Sequence, residues 1–341
     1  MNKKLSAIDL GFLYTKAIVD SKQMKIKSVI GDAKPLNLRD MDMGSKDTDD
    51  ISSKIGDKEY FVSDLAINQS DVVIHSLKPD RFNSDAMKVL VRSILGLCLG
   101  SGEYSSYFVS GLPVSHYHIY KDAIEELFMS SPHEYDVTLN GKANFSGKVV
   151  PIKGKFVPQP FGAGMDLLLD DKGAIKDRIL ASSTMAIIDP GFGTTDVYTM
   201  NSLSPVEKLT FTTPTAMNQV YRLLSSKIEE KFDVSLPLYK IDEIMTSGKF
   251  RKFGNTYDMS SLIKWALQST AEQLLSEIFN KWKNMHEIDI IYVAGGGGIA
   301  LFPYLSDSFS NIHLIEDSQW SIARGYYKWG IRSWSAELME V

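Results

Sequence analysis

The amino-acid sequence predicts an α/β protein made of two related halves. Residues 9–16 and residues 189–196 have nearly the same chemistry, because each segment starts with an aspartate and runs through a glycine to a threonine. Each follows a short, mainly apolar run and therefore predicts a buried strand that ends in a turn. A third apolar run, residues 290–293, is followed by four consecutive glycines after Ala294. Buried strands that open into glycine turns, with helical patterns between them, indicate the α/β class.

The repeated segment contains the groups that a polyphosphate site needs. An aspartate at a strand end can hold a hydrated divalent cation, and a glycine lets backbone N–H groups approach phosphate oxygens. Threonine hydroxyls can add further hydrogen bonds. One copy alone is weak evidence, because an Asp-x-Gly turn is common in hairpins. Two copies facing each other would bind a nucleoside polyphosphate from both sides.

The four glycines after the third strand, Gly295, Gly296, Gly297 and Gly298, predict a place where a flat ring lies against the main chain. Such a run offers no side chains for packing and costs backbone entropy. The alternative is a flexible surface loop.

A glutamine lies between the two repeated segments, in the sequence Pro158-Gln159-Pro160. The flanking prolines restrict its backbone. An amide at such a position can orient a water molecule for in-line attack on a terminal phosphate. The alternative is an ordinary proline-rich strand edge.

The order of these elements resembles the superfamily of actin, sugar kinases and DnaK-type chaperone ATPases. Residues 9–16 and 189–196 resemble its first and second phosphate loops, and residues 294–299 resemble its adenosine loop. Residues 159–164 resemble the first connecting segment, and residues 321–326 resemble the last connecting helix. The step Gly111-Leu112-Pro113-Val114 is most similar to bacterial and archaeal actin-like proteins of the ParM/StbA plasmid-segregation type.

The resemblance implies a duplicated, ribonuclease H-like fold of two domains, with a nucleotide in the cleft between them. We expect domain I over residues 1–165, with the first phosphate loop. Domain II would cover residues 166–341, with the second phosphate loop and the adenosine loop. A C-terminal helix at about residues 320–335 is expected to pack back onto domain I.

The resemblance also implies roles for individual residues. Asp9 and Asp189 would hold Mg²⁺, largely through its water molecules. Gln159 would orient the attacking water molecule. Asp196 would accept a proton from that water or position a hydrogen-bond network. The predicted catalytic residues are therefore Gln159, Asp189 and Asp196. The residues expected to bind ATP, or GTP, are Asp9, Gly11, Phe12, Thr15, Lys16, Gly191, Gly193, Thr194, Thr195, Lys227, Glu230, Gly295, Gly296, Gly297 and Gly298.

Two of these assignments lie on a predicted helix over residues 214–232. Lys227 and Glu230 are candidates for ribose contacts, and a solvated charged face is the alternative. Related proteins often have a glycine pair before this helix, where the present chain has Thr212-Thr213-Pro214-Thr215. A polar contact from Thr213 or Thr215 could replace the glycine contact.

Apolar spacing predicts further helices over residues 84–99, 115–129 and 258–286. The second should turn Ile119, Ala123, Ile124, Leu127 and Phe128 inward. The third carries Trp265, Phe279 and Trp282, which are expected to pack in the core. Residues 40–57 are polar and acidic and predict a surface excursion between strands.

Composition excludes several classes of protein. A net charge of −5 argues against a protein whose main task is direct binding of nucleic acid. The single cysteine, Cys98, excludes an internal disulfide framework and is expected to be a buried, inert thiol. The sequence shows no signal peptide and no apolar stretch long enough to cross a membrane, so we expect a cytoplasmic protein. The aromatic C-terminal stretch favours packing of the last helix over membrane binding.

The leading hypothesis is therefore a slow, Mg²⁺-dependent ATPase or GTPase that forms homopolymeric filaments. By resemblance, its task would be plasmid segregation through a DNA-binding adaptor protein. Two alternatives remain at this point. One is a small-molecule kinase of the same superfamily, although no acidic base stands out beside Gln159. The other is an adaptor that binds nucleotide without polymerising.

Overall fold

The fold was analysed in a computed structural model, which describes residues 1–37, 49–75, 80–283 and 285–339. The chain divides into two compact units. The first unit consists of Met1–Lys176 and Ile322–Val341, and the second of Asp177–Ser321. The division after Lys176 lies somewhat beyond the domain boundary expected from the sequence.

The first unit is built on a large mixed sheet covered by helices. Its strands are β1 (Asn2–Leu10), β2 (Tyr14–Val19), β3 (Lys22–Lys27), β4 (Val29–Asp32), β5 (Ile51–Ile55), β6 (Lys58–Val62), β7 (Val73–His75), β8 (Gly102–Leu112), β9 (His133–Leu139) and β10 (Ala143–Pro158). Its helices before the second unit are α1 (Asp64–Gln69), α2 (Asp85–Leu99), α3 (Val114–Met129) and α4 (Gln159–Leu168). Within the described residues the strand order is β3-β2-β1-β8-β10-β9-β5-β6-β4-β7.

Three neighbouring strands of this sheet fix where a functional site can form. Strand β8 runs parallel to β1 on one side and to β10 on the other. The carboxyl ends of all three strands therefore meet at one edge of the sheet, which is where α/β proteins commonly bind ligands. Asp9 lies at the end of β1, Gly111 near the end of β8, and Gln159 directly after β10.

Helix α2 confirms the helix predicted over residues 84–99. Ser84 caps its N-terminus, because the Ser84 side chain accepts a hydrogen bond from the Met87 N–H. Its apolar residues are buried against the sheet. Cys98 is among them, and burial raises the pKa of its thiol to about 12, so the thiol stays protonated and unreactive.

Helix α3 confirms the next predicted helix, but one of its inward assignments is wrong. Ile124, Leu127 and Phe128 are buried, whereas Ile119 is 68% exposed. Ile119 lies one turn before Ala123, which is only half-buried, so the buried face of α3 covers mainly the second half of the helix. The prediction of a surface excursion over residues 40–57 is also wrong in part. Residues 51–55 form strand β5, which pairs with β6 and β9; residues 38–48 lie outside the described residues.

A buried histidine gives the first unit a pH-dependent stability. The His133 ring packs edge-on against Phe108, and its Nε2 atom hydrogen-bonds the Phe128 carbonyl at 3.0 Å. Burial lowers the pKa of His133 to about 4, although the hydrogen bond to Phe128 opposes that shift. A histidine in the unfolded chain has a pKa of about 6.5. The unfolded state therefore binds more protons between these pH values, and stability is lost as the pH falls from 6.5 towards 4.

We expect this loss to reach about 3 kcal/mol at pH 4. His133→Gln removes the titrating group, so its melting temperature should depend less steeply on pH between 4 and 6.5. Calorimetry across that range measures the effect. His286→Gln, at an exposed histidine, is the control and should keep the wild-type slope. An unchanged slope in His133→Gln would assign the pH dependence to other groups.

The second unit has a smaller sheet and its own helices. Its strands are β11 (Thr184–Pro190), β12 (Thr195–Asn201), β13 (Ser204–Pro205), β14 (Phe211–Thr213), β15 (Lys249–Lys252), β16 (Asn255–Asp258), β17 (Ile290–Val293) and β18 (Ile312–Leu314). Its helices are α5 (Arg178–Ser182), α6 (Met217–Phe232), α7 (Leu238–Ser247), α8 (Ser260–Lys281) and α9 (Gly295–Leu305). The main sheet has the order β13-β12-β11-β17-β18, with β14 paired to β12.

Helix α6 starts at Met217 rather than at Pro214. It buries the apolar residues that recur at helical spacing in the sequence, which are Met217, Val220, Tyr221, Leu224 and Ile228. Helix α8 ends at Lys281 and departs from the prediction in its aromatic residues. Trp265 and Phe279 are each 42% exposed, so their assignment to the core is wrong. Trp282 is buried, and its indole N–H donates to the Leu209 carbonyl at 3.1 Å.

The C-terminal helix, α10 (Ser321–Met339), packs against α4 within the first unit. A Cβ atom at Gly325 would collide with the carbonyl of Gly162, so the two backbones touch at this point. Next to that contact the buried Asp166 carboxylate accepts hydrogen bonds from Arg324 at 2.7 Å and from Lys328 at 2.8 Å. These contacts hold α4, the helix that begins at Gln159.

In the described part of the chain no helix has both the length and the apolar composition needed to cross a bilayer.

Candidate functional site

The first repeated segment forms a hairpin from β1 and β2. Asp9 pairs with Lys16 across the two strands, and Gly11, Phe12 and Leu13 form the connecting turn. A Cβ atom at Gly11 would lie 2.5 Å from the Tyr14 carbonyl oxygen, so only glycine fits. The Ser28 hydroxyl donates to the Gly11 carbonyl at 2.8 Å, which ties the turn to the bend between β3 and β4.

The Asp9 carboxylate is buried, with 3% of the residue exposed. Its Oδ2 atom accepts from Lys16 Nζ at 2.9 Å, and its Oδ1 atom accepts from Gln159 Nε2 at 3.3 Å. The structure therefore brings three predicted site residues together at one edge of the large sheet. A direct bond from Asp9 to a metal ion would compete with Lys16, and the predicted contact of Asp9 with Mg²⁺ stays a prediction.

Gln159 is the first residue of α4 rather than part of a strand edge. Its position is set by Pro158 at the end of β10 and Pro160 in the first helical turn, where a proline needs no hydrogen-bonded N–H. The side chain is buried and fixed by its hydrogen bond to Asp9. The amide is thereby held next to the first turn.

Arg81 also belongs to this site, although sequence reasoning missed it. Its guanidinium lies 4.0 Å from the centre of the Phe12 ring and donates to the Leu10 carbonyl. Burial lowers the pKa of Arg81 to about 10, and the charge of Asp9 opposes that shift. Its surroundings in the sequence, Asp80-Arg81-Phe82-Asn83, contain no motif that could have revealed the contact.

The second repeated segment forms a hairpin of the same register from β11 and β12. Asp189 pairs with Asp196, just as Asp9 pairs with Lys16, and Pro190 pairs with Thr195. The Gly191 N–H donates to the Thr194 carbonyl at 2.9 Å and closes the turn. Two N–H groups at the start of α6 donate to the carbonyls of Gly191 and Phe192, at 3.1 and 2.8 Å. The turn is therefore fixed by the helix that follows it.

The two aspartates of this hairpin face the same side of the sheet, because directly opposed residues of an antiparallel pair share a face. Asp189 is 7% exposed and Asp196 is 3% exposed. Asp196 Oδ1 accepts a hydrogen bond from the Thr212 hydroxyl at 2.6 Å. Two carboxylates in this arrangement repel each other, and a cation beside them would relieve that repulsion.

The four glycines form the first turn of α9 instead of a loop or a strand extension. Gly295 has a φ of +77°, and a Cβ atom there would lie 2.5 Å from Asp189 Oδ1. Gly297 faces the Pro190 carbonyl, and Gly298 packs against Val293. Packing within the protein thus explains why Gly295, Gly297 and Gly298 have no side chain. Gly296 is exposed and is the member of the run at which an external ring could lie against the backbone.

Substitutions in this run should separate packing from binding. Gly297→Ala places a methyl group against the Pro190 carbonyl and should destabilise the protein by about 1–3 kcal/mol. Gly296→Ala is the matched variant in the same turn, since its nearest neighbour would be Gln319 Nε2 at an ordinary 3.5 Å. We expect Gly296→Ala to melt at the wild-type temperature and to bind nucleotide more weakly. Thermal unfolding and nucleotide titration of both variants measure this. Equal losses of stability would contradict the packing argument.

Comparison with known proteins identifies this arrangement. Residues 7–162 match the family model of the N-terminal domain of actin-like proteins. Residues 187–307 match the model of the C-terminal domain of the MreB-like archaeal actin homologue. The chain belongs to the actin-like family. No curated protein matches the actin-like chain in sequence.

Solved structures show that this actin-like chain has the fold of its relatives throughout. A 15-stranded ParM filament from Clostridium botulinum has a TM-score of 0.77 at 23% identity, over 97% of this chain and 99% of that one. A non-polymerisable quadruple mutant of pCBH ParM has a TM-score of 0.77 at 22% identity, over 96% and 99%. Ta0583, an archaeal actin homologue in complex with ADP, has a TM-score of 0.78 at 18% identity, over 97% and 100%. The predicted actin-like fold is confirmed.

The structure of the actin-like chain corrects the predicted role of two threonines. Thr15 is fully buried, and its hydroxyl shares a hydrogen bond of 2.9 Å with Ser28. Thr195 is also buried, and its hydroxyl donates to the Thr215 carbonyl at 2.6 Å. Thr15 is the second residue of β2 and Thr195 is the first residue of β12, and both side chains are buried in the protein. Their predicted hydroxyl contacts with phosphate are therefore not available in this structure. Thr194 is partly exposed in the second turn.

Thr213 and Thr215 do not replace the glycine contact as predicted. Both hydroxyls donate to the Glu277 carboxylate on α8, with a distance of 2.7 Å from Thr215. Burial raises the pKa of Glu277, but the hydrogen bonds from the two threonines and from Gln273 outweigh it, so the pKa is lowered. Glu277 stays ionised and anchors the segment before α6.

Lys227 and Glu230 form an ion pair of 2.5 Å with each other on α6, and both side chains are exposed. Their ribose contacts stay a prediction.

Within the described residues no group of three or more His, Cys, Asp or Glu side chains is close enough to hold a metal ion. Mg²⁺ commonly binds through one or two carboxylates together with water and phosphate oxygens.

Proposed function

We propose that the protein is a nucleotide-dependent, filament-forming NTPase that hydrolyses Mg²⁺-bound ATP, or GTP, slowly. The observation that carries this proposal is the duplication of one hairpin in one register, with a buried aspartate followed by a glycine turn in each unit. Each copy has the groups that phosphate oxygens and a hydrated Mg²⁺ ion need. The ADP complex of the archaeal relative supports binding of a nucleotide by this fold.

The residues present fit such a ligand. The turn of the first hairpin would bind phosphate oxygens through the backbone of Gly11 and Phe12, next to Lys16. The turn of the second hairpin would do the same through Gly191, Gly193 and Thr194. Asp189 and Asp196 form the more acidic of the two hairpins and suit a hydrated Mg²⁺ ion. When bound, Mg²⁺ would neutralise part of the polyphosphate charge.

Hydrolysis would depend on Gln159. Its amide is buried and positioned by Asp9, and it would orient a water molecule towards the terminal phosphate. An amide is a poor proton acceptor, so we expect turnover to be slow. Asp196, already hydrogen-bonded to Thr212, would accept the proton or hold the network that does. Slow turnover suits a nucleotide that acts as a timer for assembly.

Filament formation is proposed from the relatives. One of them is described as a 15-stranded ParM filament, and another is a mutant made unable to polymerise. Nucleotide binding would favour the assembling form of the chain, and hydrolysis would release it. Segregation of plasmid DNA through a DNA-binding adaptor, in the cytoplasm, is the task that this proposal favours.

Phosphate release without any added acceptor tests the proposal. We expect release with Mg²⁺-ATP or Mg²⁺-GTP, absent with EDTA, and a rate per protein that rises above a threshold protein concentration. The threshold would show that hydrolysis is coupled to assembly. Nucleoside diphosphate that forms without free phosphate, and only when a small-molecule acceptor is added, would instead identify a kinase, because the terminal phosphoryl group then moves to the acceptor. Binding without release would identify a nucleotide-binding adaptor.

A further inference from the structure

Two hairpin turns of the second unit carry a large apolar side chain at a position that disfavours it. Phe253 lies in the turn between β15 and β16, and Leu203 lies in the turn between β12 and β13. Both have a left-handed backbone, with φ angles of +47° and +68°. Two-residue turns of this kind favour asparagine, aspartate and glycine, because a bulky side chain is strained there. Among the described residues, Phe253 and Leu203 are the only large apolar side chains with a positive φ.

These strained side chains are also exposed. Phe253 is 94% exposed, and Leu203 is exposed as well. Ile179 on α5 is 84% exposed and lies near Leu203, because the Ser202 hydroxyl donates to the carbonyl of Ser182 at the end of α5. We call Ile179 and Leu203 the apolar patch. Strain and exposure at the same residues indicate a role in recognition rather than in stability.

The β15–β16 hairpin is fixed at its base. Phe232 at the end of α6 packs against Phe250 and Tyr257, one from each strand, with ring centres 5.0 and 4.7 Å apart. The Lys252 ammonium also donates to the Phe232 carbonyl. A hairpin that is already ordered loses little conformational entropy when its tip binds a partner.

The hairpin and the apolar patch lie at opposite ends of α8. The Met259 N–H, just before α8, donates to the Gly248 carbonyl, just before β15. At the other end of α8, the Trp282 indole donates to the carbonyl of Leu209, which closely follows the Leu203 turn. The 22 residues of α8 span about 33 Å, whereas the four residue pairs of the hairpin span only about 13 Å. The tip of the hairpin therefore does not reach the patch of its own chain.

The two surfaces have opposite net charge. The hairpin carries three cations and one carboxylate, which are Lys249, Arg251, Lys252 and Asp258. The segments 177–182, 202–208 and 287–289 around the patch carry four carboxylates and two cations, which are Asp177, Glu207, Glu287, Asp289, Arg178 and Lys208. Complementary charge favours contact of a hairpin with a patch and disfavours contact between two hairpins.

We propose that the β15–β16 hairpin of one copy docks on the apolar patch of a second copy, with Phe253 packed against Ile179 and Leu203. The two surfaces differ, so the contact is heterologous. Each copy then keeps a hairpin or a patch for the next neighbour, and repetition of the contact gives an open chain of copies. The inference rests on the proposed function, because it names the surfaces through which the filament would assemble.

Asparagine substitutions in the two turns test the inference, because asparagine suits a left-handed turn position. We expect Phe253→Asn and Leu203→Asn to melt at or above the wild-type temperature. Each should raise the critical concentration for assembly with Mg²⁺-ATP or Mg²⁺-GTP at least about tenfold, as measured by sedimentation. Ile119→Asn removes an exposed apolar side chain from the first unit and is the control, with a wild-type critical concentration.

Cross-linking identifies the surfaces that meet. Cys98, the single cysteine, is buried and unreactive, so an introduced cysteine is the thiol that reacts. Asn255→Cys lies beside the hairpin tip and Ser204→Cys beside the patch, and both positions are exposed. In an assembled mixture of the two variants, a short bis-maleimide should join one variant to the other. Either variant assembled alone should give no cross-linked dimer, since a heterologous contact never places two hairpins or two patches together.

The outcomes separate the inference from the function on which it rests. Wild-type protein that does not assemble with either nucleotide would overturn both. Wild-type assembly with an unchanged critical concentration in Phe253→Asn and Leu203→Asn would overturn only the inference. An equal rise in Ile119→Asn, or cross-linking of either cysteine variant alone, would also overturn it. Binding to vesicles of phosphatidylcholine and phosphatidylglycerol that is lost in Phe253→Asn, with assembly unchanged, would assign the hairpin to a membrane instead.

Discussion

We expect Asp189→Ala to lower the rate of Mg²⁺-dependent phosphate release by about 10²–10³-fold. Asp189 ends strand β11, faces Asp196, and touches the first glycine of α9. Removing it takes away one of the two carboxylates that suit a hydrated Mg²⁺ ion. The fold should survive, because the β11–β12 and β11–β17 ladders are made by the backbone. Phosphate release at saturating nucleotide, over a range of Mg²⁺ concentrations, measures the effect.

Asp189→Asn is the closer variant, because it keeps the volume beside Gly295 and removes only the charge. It should show a similar loss of turnover and a wild-type melting temperature. Asp258→Asn removes an exposed carboxylate from β16 of the same unit and should leave turnover unchanged. Normal turnover in both Asp189 variants would remove the second hairpin from the proposed site.

We expect Gln159→Ala to keep nucleotide affinity within about twofold and to slow hydrolysis by about 10²-fold. The amide donates to Asp9 and lies directly after β10, at the edge where β1 and β8 also end. Its proposed task concerns the attacking water rather than the nucleotide. A lower kcat without a higher Kd therefore distinguishes this role. Single-turnover hydrolysis and nucleotide titration measure the two quantities.

Gln219→Ala provides a control for loss of an amide. Gln219 lies on α6, where its amide donates to Gln273 at the surface of the second unit. That variant should hydrolyse nucleotide at the wild-type rate. If Gln159→Ala instead loses nucleotide affinity together with thermal stability, Gln159 supports the structure around Asp9 and has no role in hydrolysis.

Local patterns were sufficient to predict the elements that carry the site. The apolar run before Asp9 and before Asp189 determines a strand, and the glycine after each aspartate determines a turn, so both hairpins were predictable. Helices α2 and α6 were predictable for the same reason, since their apolar residues recur with helical spacing. All of these signals lie within one element.

Features that depend on distant neighbours could not be predicted. The direction of the Thr15 hydroxyl is set by Ser28, which lies between β3 and β4. The Arg81 side chain packs on Phe12 of the first turn, although the segment around Arg81 contains no motif. Glu277 on α8 accepts a hydrogen bond from Thr213, which lies on β14. Helical spacing also gave Ile119 and Trp265 inward positions, although nothing in the fold covers them enough to bury them. Sequence shows which face is apolar but not which partner covers it.

The central claim is that nucleotide drives assembly of this chain, and right-angle light scattering with a sedimentation check tests it most directly. Mg²⁺-ATP or Mg²⁺-GTP is added to purified protein, with Asp189→Ala as the variant that should not respond. We predict a prompt rise in scattering, protein in the pellet, and a decay that follows phosphate release. Scattering that stays flat while the nucleotide is bound and hydrolysed would contradict the claim and would leave a monomeric NTPase.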